Sequence, residues 1–326
     1  MDKILIIGGT NFIGRNLIEK LSANKKYDLT IFNRGITNPD VFPNIKRIIG
    51  DRNSQDVKLI HQIDWDYIID LSCYFPQSLI NILSGLRLSL KKYIFISTCS
   101  VYQDEKGSLS NENAVIKECN QNQFDDPSTK SYGNRKAECE RIIQASTCNF
   151  TILRPDVVYG KYDHTDRFYY WLYQAKKYNR ILVPNNGAPL FSLTYVKDLV
   201  YTIEKTIVEN PDRDSYNITT ITQTSIRQII EAALEITGNK PKLINADSRF
   251  LKSNKIREWT DMPIWIDSEH STFENKKIVD TYGLKFTDLK TSVSETIAFY
   301  DFLGWPTPHY GLEREKQISL IEKITN

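Results

Sequence analysis

The sequence contains no long hydrophobic run and no excess of charge of either sign. Its first apolar segment, Ile4 to Ile7, follows Met1 almost directly and is far shorter than the roughly 20 residues that a membrane-spanning helix requires. Lys and Arg number 42 against 40 Asp and Glu, for a net charge of +2, so no broad positive surface is available to a polyanion. These absences predict a cytoplasmic protein without a membrane span, and they disfavour nucleic acid as a partner.

Cysteine and histidine are scarce and scattered. The five cysteines include no Cys-x-x-Cys pair, and the four histidines include no His-Glu-x-x-His motif. Structural zinc sites and metal hydrolases need ligands at such spacings. The sequence therefore predicts free thiols and no metal site.

The first half of the chain alternates short apolar runs with amphipathic segments, which is the pattern of strands joined by helices in a parallel sheet. Six strands are predicted, at 3–7, 28–32, 46–49, 66–71, 92–97 and 150–153. Their high content of Ile, Leu, Val, Phe and Tyr is typical of strands covered by helices on both faces. Right-handed crossovers then give an α/β fold with a Rossmann-like doubly wound parallel sheet.

The character of the sequence changes after Arg154-Pro155. An aromatic cluster at 168–173 is followed by mixed short elements and by an amphipathic segment at 292–302. We therefore expect a smaller C-terminal substrate-binding lobe. The predicted division assigns residues 1–163 and about 190–219 to the dinucleotide-binding domain, and about 164–189 with 220–326 to the lobe. The cleft between the two is the expected site.

A glycine-rich turn joins the first predicted strand to the first helix. Such a turn needs close backbone approach and offers free amides at a helix start, which attract a pyrophosphate. The spacing of Gly8, Asn11 and Gly14 resembles the Gly-x-x-Gly-x-x-Gly fingerprint of extended short-chain dehydrogenases/reductases, with an asparagine as the middle residue. Asparagine tolerates a left-handed backbone better than most residues. The cofactor contacts expected here are Gly8, Thr10, Asn11, Phe12, Ile13 and Gly14.

The end of the second predicted strand bears on the choice of dinucleotide. An acidic residue there would bind the adenosine ribose, but the sequence has Asn33 and Arg34. Arg34, together with Arg15, could meet a 2′-phosphate, which favours NADP over NAD, whereas Asn33 could also serve a free ribose. Asp51 lies where the resemblance implies a contact with adenine, and a helix cap or turn is its alternative role. Further cofactor contacts are expected from Arg52, Leu71 and Ser72.

Four Tyr-x-x-x-Lys pairs occur, and their positions distinguish them. Only Tyr132 and Lys136 open the helical segment between the fifth and sixth predicted strands, at the carboxyl edge of the sheet. Helical spacing places both side chains on one face, which suits a tyrosinate beside a cation. The remaining pairs, interpreted as loop, packing or solvated residues, are Tyr102/Lys106, Tyr173/Lys177 and Tyr201/Lys205.

The fifth predicted strand ends in a hydroxyl-rich segment, 97–102, that resembles a family strand-end Ser/Thr followed by Val-Tyr and aligns Thr98 with the catalytic hydroxyl. Strand alternation places Ser97 on the opposite face, and Ser100 is the other rival hydroxyl. The resemblance implies that Thr98 hydrogen-bonds the substrate oxygen and that Tyr132 exchanges its proton. Lys136 would lower the pKa of Tyr132 and hold the nicotinamide ribose, so Tyr132 and Lys136 are also expected to contact the cofactor.

Together these motifs resemble the NAD-dependent epimerase/dehydratase family of extended, or atypical, short-chain dehydrogenases/reductases. Segments 153–160 and 191–199 are similar to its Arg-Pro…Val-Tyr-Gly and Val-x-Asp-Leu motifs. The glycine turn, segment 32–35 and segment 166–171 resemble a bacterial subgroup labelled epimerases or isoflavone-reductase-like enzymes. That subgroup is also similar to chloroplast stem-loop RNA-binding proteins.

The resemblance implies an NAD(P)-dependent oxidoreductase or epimerase that acts at a secondary alcohol or ketone, with a nucleotide-activated sugar as substrate class. Family 4,6-dehydratases carry an Asp-Glu pair after the catalytic Thr, where this chain has Cys99 and Ser100, so dehydration is disfavoured. An NADPH-dependent reductase of a small carbonyl compound and an RNA-binding or regulatory protein that retains the fold are the alternatives. A homodimer through helices that include the one bearing Tyr132 is also implied.

Overall fold

The computed structural model describes residues 1–104, 106–209 and 213–325 of the chain. Its strands are β1 Asp2–Ile7, β2 Tyr27–Asn33, β3 Lys46–Ile49, β4 Tyr67–Asp70, β5 Lys92–Ile96, β6 Phe150–Pro155, β7 Val157–Tyr159, β8 Arg180–Pro184, β9 Leu190–Tyr195, β10 Asp214–Ile218, β11 Ile221–Ser225, β12 Lys242–Ala246 and β13 His270–Ser271. Its helices are α1 Phe12–Ser22, α2 Val57–His61, α3 Pro76–Leu83, α4 Gln121–Phe124, α5 Tyr132–Ala145, α6 Arg167–Lys177, α7 Val196–Val208, α8 Ile226–Thr237, α9 Ser248–Ser253, α10 Lys276–Tyr282, α11 Leu289–Phe302 and α12 Arg314–Thr325.

The main sheet has seven parallel strands in the order β10-β6-β5-β4-β1-β2-β3. The predicted α/β fold with a doubly wound parallel sheet is therefore confirmed. Six strands lie where the apolar runs predicted them, and the seventh, β10, was missed. Its sequence, Asp-Ser-Tyr-Asn-Ile, lacks an apolar run, and among the described residues it pairs with β6 alone, at the edge of the sheet.

Helices cover both faces of this sheet. On one face, α1 and α7 pack against the sheet around a core that includes Ile4, Leu17 and Ile203. On the other face, α3 and α5 pack together over a core that includes Leu5, Leu79 and Ile143. The strand order reverses between β1 and β4, and ligands of open α/β sheets bind in the crevice outside the carboxyl ends of the strands at such a reversal.

A second layer of structure follows β6. Strand β9 pairs with β7, β11 and β13 in a four-stranded sheet, and β12 pairs with β8 in a separate two-stranded one. The largest hydrophobic core lies here, and aromatic side chains such as Tyr169, Trp171 and Trp265 are buried in it. Helices α6, α8 and α11 surround that core. The aromatic side chains at the start of α6 therefore form part of this hydrophobic core.

Within the described residues, no helix combines the length and apolar character needed to cross a membrane. The same residues contain no cluster of three or more His, Cys, Asp or Glu side chains that could hold a metal ion. The five cysteines are free, and Cys73, Cys99 and Cys139 are buried.

Candidate functional site

A groove of about 650 Å³ runs along the carboxyl edge of the main sheet. This volume falls in the range of small-molecule and cofactor sites. The groove is lined by the turn between β1 and α1, by residues at the ends of β2, β3, β4 and β5, and by the segment around Arg167 and Trp259. The predicted site residues that line it are Gly8, Thr10, Asn11, Phe12, Ile13, Gly14, Asn33, Arg34, Asp51, Arg52, Leu71, Ser72 and Thr98.

The glycine turn forms one end of the groove, and its geometry explains why glycine is needed. Gly8 and Gly9 have φ angles of +105° and +98°, which side-chain-bearing residues rarely adopt. An ideal Cβ atom on Gly14 would lie 2.6 Å from the carbonyl carbon of Gly9. Strand β1 and helix α1 therefore approach closely, and the start of α1 faces the groove. This is the geometry of a pyrophosphate-binding turn, so the residues present fit a dinucleotide.

Asn11 stands in place of the family's middle glycine for a reason other than the one expected. Its φ angle is −125°, so the position needs no left-handed backbone. Its side-chain oxygen instead accepts a hydrogen bond from the Phe12 amide and caps α1. Asparagine is a favoured residue at this helix position.

The end of β2 is organised by Asn33. The Asn33 side-chain amide donates to the Gly8 carbonyl at 3.3 Å and to the Thr10 hydroxyl at 3.2 Å, and its oxygen accepts from the Gly35 amide. Asn33 therefore holds the glycine turn. Arg34 is exposed beside it and lines the groove. Arg15, expected to assist Arg34, is not among the groove-lining residues and instead stacks on Tyr162, with its guanidinium carbon 3.7 Å from the ring centre.

Arg52 is held by a carboxylate that sequence reasoning missed. Asp70, at the end of β4, is fully buried and accepts two hydrogen bonds from Arg52, at 2.7 and 2.8 Å, and one from the Tyr93 hydroxyl at 2.6 Å. Burial acts to raise the pKa of Asp70, but the charge and hydrogen bonds of Arg52 outweigh burial and leave that pKa lowered. The nearby Asp51 carboxylate accepts from the Asn53 amide, as a turn residue does.

Thr98, which lines the groove, interacts with the side chain of Tyr132. Thr98 follows β5 and lines the groove, and Tyr132 is the first residue of α5. Burial raises the pKa of Tyr132, and the hydrogen bond with the Thr98 side chain and the charge of Arg135 oppose that shift. The phenol is therefore held in its protonated form, which can donate a proton or a hydrogen bond. The structure places these two predicted residues together.

Lys136 occupies a different environment from the one expected. It is 2 % exposed, and its ammonium group donates to the backbone carbonyls of Cys73 at 2.9 Å and Ile96 at 2.7 Å. It also lies 4.0 Å from the centre of the Phe95 ring. The predicted lowering of the Tyr132 pKa by Lys136 is not what the structure shows, because burial dominates and raises that pKa. Neither Tyr132 nor Lys136 is among the groove-lining residues.

Tyr74 is a groove residue that sequence reasoning did not identify. It is 51 % exposed, and its ring centre lies 6.4 Å from that of Tyr132. Burial of the phenol raises the pKa of Tyr74, and Tyr132 adds to the shift. The Tyr74 carbonyl accepts a hydrogen bond from Arg135, so α5 also holds this segment in place. Only its position three residues after the end of a predicted sheet strand could have indicated it.

The rival hydroxyls and Tyr-Lys pairs have other partners. Ser97 donates to the buried carboxylate of Glu140. The backbone amide of Ser100 donates to the Thr98 hydroxyl oxygen, so Thr98 caps the following 3-10 turn. Tyr102 is buried and donates to Asn217, and Tyr201 lies on the separate helix α7.

The sheet, the glycine turn and the groove have the arrangement of a Rossmann-type fold. Residues 4–219 match the family model described as the NAD dependent epimerase/dehydratase family. The chain therefore belongs to the NAD-dependent epimerase/dehydratase family.

The known proteins that are similar to this chain carry names for two different functions, stem-loop binding and sugar epimerisation. The chloroplast stem-loop binding protein of 41 kDa b from Arabidopsis thaliana is 26 % identical over 232 residues, which is 66 % of this chain and 58 % of that protein. Among solved structures, the UDP-glucuronic acid 4-epimerase of Bacillus cereus with NAD has a TM-score of 0.71 at 18 % identity, covering 93 % of this chain and 100 % of that one. The UDP-glucose 4-epimerase of Thermotoga maritima with UDP-glucose has the same score and identity, covering 92 % and 99 %. At this identity the structures show a shared fold.

Proposed function

We propose that this protein is an NAD(P)-dependent oxidoreductase or epimerase that acts at a secondary alcohol or ketone of a nucleotide-activated sugar. One observation carries the proposal: a single groove contains both the glycine turn at Gly8 and Thr98, whose side chain interacts with the Tyr132 phenol. A dinucleotide that extends from the turn along the sheet edge would bring its reactive end to this pair. The name of one structural neighbour, a UDP-glucuronic acid 4-epimerase, supports the sugar-nucleotide class.

Each residue has a role that its environment supports. When bound, the nicotinamide cofactor supplies hydride transfer. The glycine turn would bind its diphosphate, Arg34 and Asp51 its adenosine half, and Leu71 and Ser72 the other half. Thr98 would hydrogen-bond the substrate oxygen, and Tyr132, held protonated by burial, would donate the proton when a ketone is reduced.

Lys136 has a positioning role in this proposal. Its ammonium joins α5 to the carbonyls at 73 and 96, so it fixes Tyr132 relative to the ends of β4 and β5. Its predicted contact with the nicotinamide ribose stays a prediction. We also propose that residues 1–163 with 190–219 bind the dinucleotide and that the remainder binds the substrate.

Two features support epimerisation or reduction over 4,6-dehydration. Cys99 follows Thr98 directly but is fully buried, and its thiol contacts the Arg154 carbonyl. Burial raises the pKa of Cys99 well above its usual range, so the thiol is a poor acid or base. Ser100 supplies no carboxylate either. The two positions that would shuttle protons in a dehydratase thus lack groups suited to that task.

Cofactor preference rests on the end of β2. No carboxylate occupies it, and the exposed Arg34 could form charge-assisted hydrogen bonds with a 2′-phosphate. Asn33 is engaged with the glycine turn, which leaves its amide group less available to a free ribose. We therefore favour NADP over NAD.

The test of the proposed function begins with the cofactor. The protein is denatured, and any released nucleotide is identified by mass. Calorimetry with NAD, NADH, NADP and NADPH then gives the affinities, and the loaded protein is assayed with UDP-sugars for epimerisation. Tightly held NAD indicates internal recycling of the hydride, and exchangeable NADPH indicates a reductase. If none of the four nucleotides binds, the proposed function is wrong.

A second candidate, binding of an RNA stem-loop, is favoured by one observation, the name of the similar Arabidopsis thaliana protein. Affinity for a stem-loop RNA that falls steeply with salt, without any cofactor-dependent turnover, would support it. A homodimer through the helix layer that contains α5 is a further proposal. Light scattering on the purified chain measures it directly.

A further inference from the structure

The groove contains an arginine that the proposed chemistry does not use. Arg167 is the first residue of α6 and lines the groove together with His164, Thr165 and Trp259. Thr98 lines the same groove. A substrate whose reacting carbon lies at Thr98 would therefore share this groove with the Arg167 side chain.

Two aromatic rings flank the Arg167 guanidinium. Its central carbon lies 5.7 Å from the ring centre of Trp259 and 5.5 Å from that of Tyr310, within the range of cation–π attraction. Both rings remain about two-fifths exposed, at 40 % and 41 %. Trp259 has a φ angle of +60°, which is an outlier for a bulky residue. Such strain is found preferentially at functional sites.

The Arg167 guanidinium has no hydrogen-bond partner for its Nε atom, which is buried. No hydrogen bond or ion pair of this side chain is found within the ranges that the structure describes. Two nearby carboxylates are already engaged, since Asp163 accepts from the Thr165 amide and hydroxyl and Asp166 accepts from the His309 amide. A guanidinium has five N–H donors in a planar fork, and the four on its two terminal nitrogens have no protein partner here within the described ranges.

His164 lines the groove three residues before Arg167. Burial lowers the pKa of His164, and the charge of Arg167 adds to that effect, so the ring is neutral at pH 7. Its ring centre lies 6.3 Å from that of Phe12, at the start of α1. His164 therefore lies beside the glycine turn and offers one donor and one acceptor.

We propose that Arg167, flanked by Trp259 and Tyr310, is a specificity-determining residue that binds an anionic group of the substrate, a phosphate or a carboxylate. The guanidinium fork matches either group with two parallel hydrogen bonds. The aromatic rings hold the fork in place, so that little side-chain entropy is lost on binding. This inference rests on the proposed function, because Arg167 can bind a substrate group only if the same groove also holds the cofactor.

The test uses the full chain loaded with the dinucleotide that the cofactor experiment identifies. Calorimetry measures binding of UDP, inorganic diphosphate, glucuronate and the neutral probe uridine. The variants are Arg167→Gln, Arg167→Lys and, as a matched control, Arg249→Gln, which removes the same charge from an exposed position on α9 outside the groove. Thermal unfolding and dinucleotide affinity report whether each variant is folded.

We expect Arg167→Gln to lower the affinity for the anionic probes by about tenfold or more, because a charged hydrogen-bonding pair is lost. Dinucleotide affinity should be unchanged. Arg167→Lys should recover part of the loss, and Arg249→Gln should bind like the wild type. Binding of UDP and diphosphate would identify a phosphate as the ligand, and binding of glucuronate alone a carboxylate. The affinity of the wild type for the anions should also fall as salt is added.

Three outcomes would overturn the proposal. Arg167→Gln could bind the anions as tightly as the wild type does, or it could lower the affinity for uridine as much as the affinity for UDP. The dinucleotide-loaded wild type could also bind none of the anions, which would leave the cofactor site and the oxidoreductase chemistry of the proposed function standing. Failure to bind any dinucleotide would instead contradict the proposed function itself.

Discussion

The ammonium group of Lys136 lies 2.9 Å from the backbone carbonyl oxygen of Cys73, to which it donates a hydrogen bond. Cys73 follows Ser72 and precedes Tyr74, two residues that line the groove. A second hydrogen bond joins the same ammonium to Ile96 at the end of β5. Lys136 therefore ties α5 to two neighbouring strands of the sheet, and Tyr132 is positioned by the same helix.

Substitution Lys136→Met should reduce both stability and turnover. Each buried carbonyl left without a donor costs about 1–3 kcal/mol, so the free energy of unfolding in urea should fall by a few kcal/mol. Lys92→Met is a matched control, because Lys92 is also buried and donates to two carbonyls, those of Thr206 and Glu209. It should lose comparable stability and keep turnover at temperatures where it is folded. Equal turnover in the folded state of both variants would contradict a positioning role for Lys136.

Substitution Tyr132→Phe should abolish most of the turnover on a UDP-sugar that the wild type converts. Loss of a positioned proton donor typically lowers kcat by about 10² to 10⁴. Dinucleotide affinity from calorimetry should change little, because the glycine turn is untouched. Tyr201→Phe, in the Tyr-x-x-x-Lys pair on α7, is the control and should have wild-type turnover. Activity retained in Tyr132→Phe would remove the phenol from the mechanism.

Substitution Gly14→Ala should weaken dinucleotide binding and destabilise the fold. The added methyl would lie 2.6 Å from the Gly9 carbonyl carbon, so strand β1 and helix α1 must separate. Overpacking of this kind costs about 1–3 kcal/mol of unfolding free energy. Gly238→Ala is the control, because the added methyl group would have no atom within 4 Å. Gly238 has a left-handed backbone, so this variant also loses some stability, but its dinucleotide affinity should be unchanged. Wild-type affinity in Gly14→Ala would show that the turn does not hold the cofactor.

Substitution Asp163→Asn should change the pH dependence of stability. Burial raises the pKa of Asp163 from its usual value near 3.8 to about 6. The protonated form is favoured in the folded state, so its stabilising contribution is complete below about pH 4 and is lost as the pH rises through about 6. The difference in unfolding free energy between wild type and variant should therefore change on the order of 3 kcal/mol over this window and be constant above it. A difference that does not vary between pH 4 and 7 would contradict the assignment.

Much of the fold could be predicted because it depends on local patterns. Six of the seven strands in the main sheet are apolar runs, and the helix after β1 begins at its cap, Asn11. Strand β10 was missed because an edge strand needs fewer apolar residues than a central one. The position of Thr98 at a strand end followed from the same local reasoning.

The partners of the charged side chains could not be predicted in this way. Asp70 was interpreted only as part of a strand, yet it is the partner of Arg52, 18 residues away. Lys136 was assigned to the phenol of Tyr132, but its hydrogen bonds go to carbonyls 40 and 63 residues away. Burial reversed the expected direction of the Tyr132 pKa shift, and burial depends on packing that no local pattern encodes.

By itself, the sequence determined the parallel sheet, the glycine turn and the order of the hydroxyl, phenol and ammonium groups along the sheet edge. Backbone conformation and periodicity are properties of neighbouring residues, so they can be read from the chain directly. Only the tertiary structure decided that Lys136 holds the backbone, that Tyr74 joins the groove and that Trp259 and Tyr310 flank Arg167. Those contacts join segments 40 to 143 residues apart, and only the packing of the whole chain brings them together.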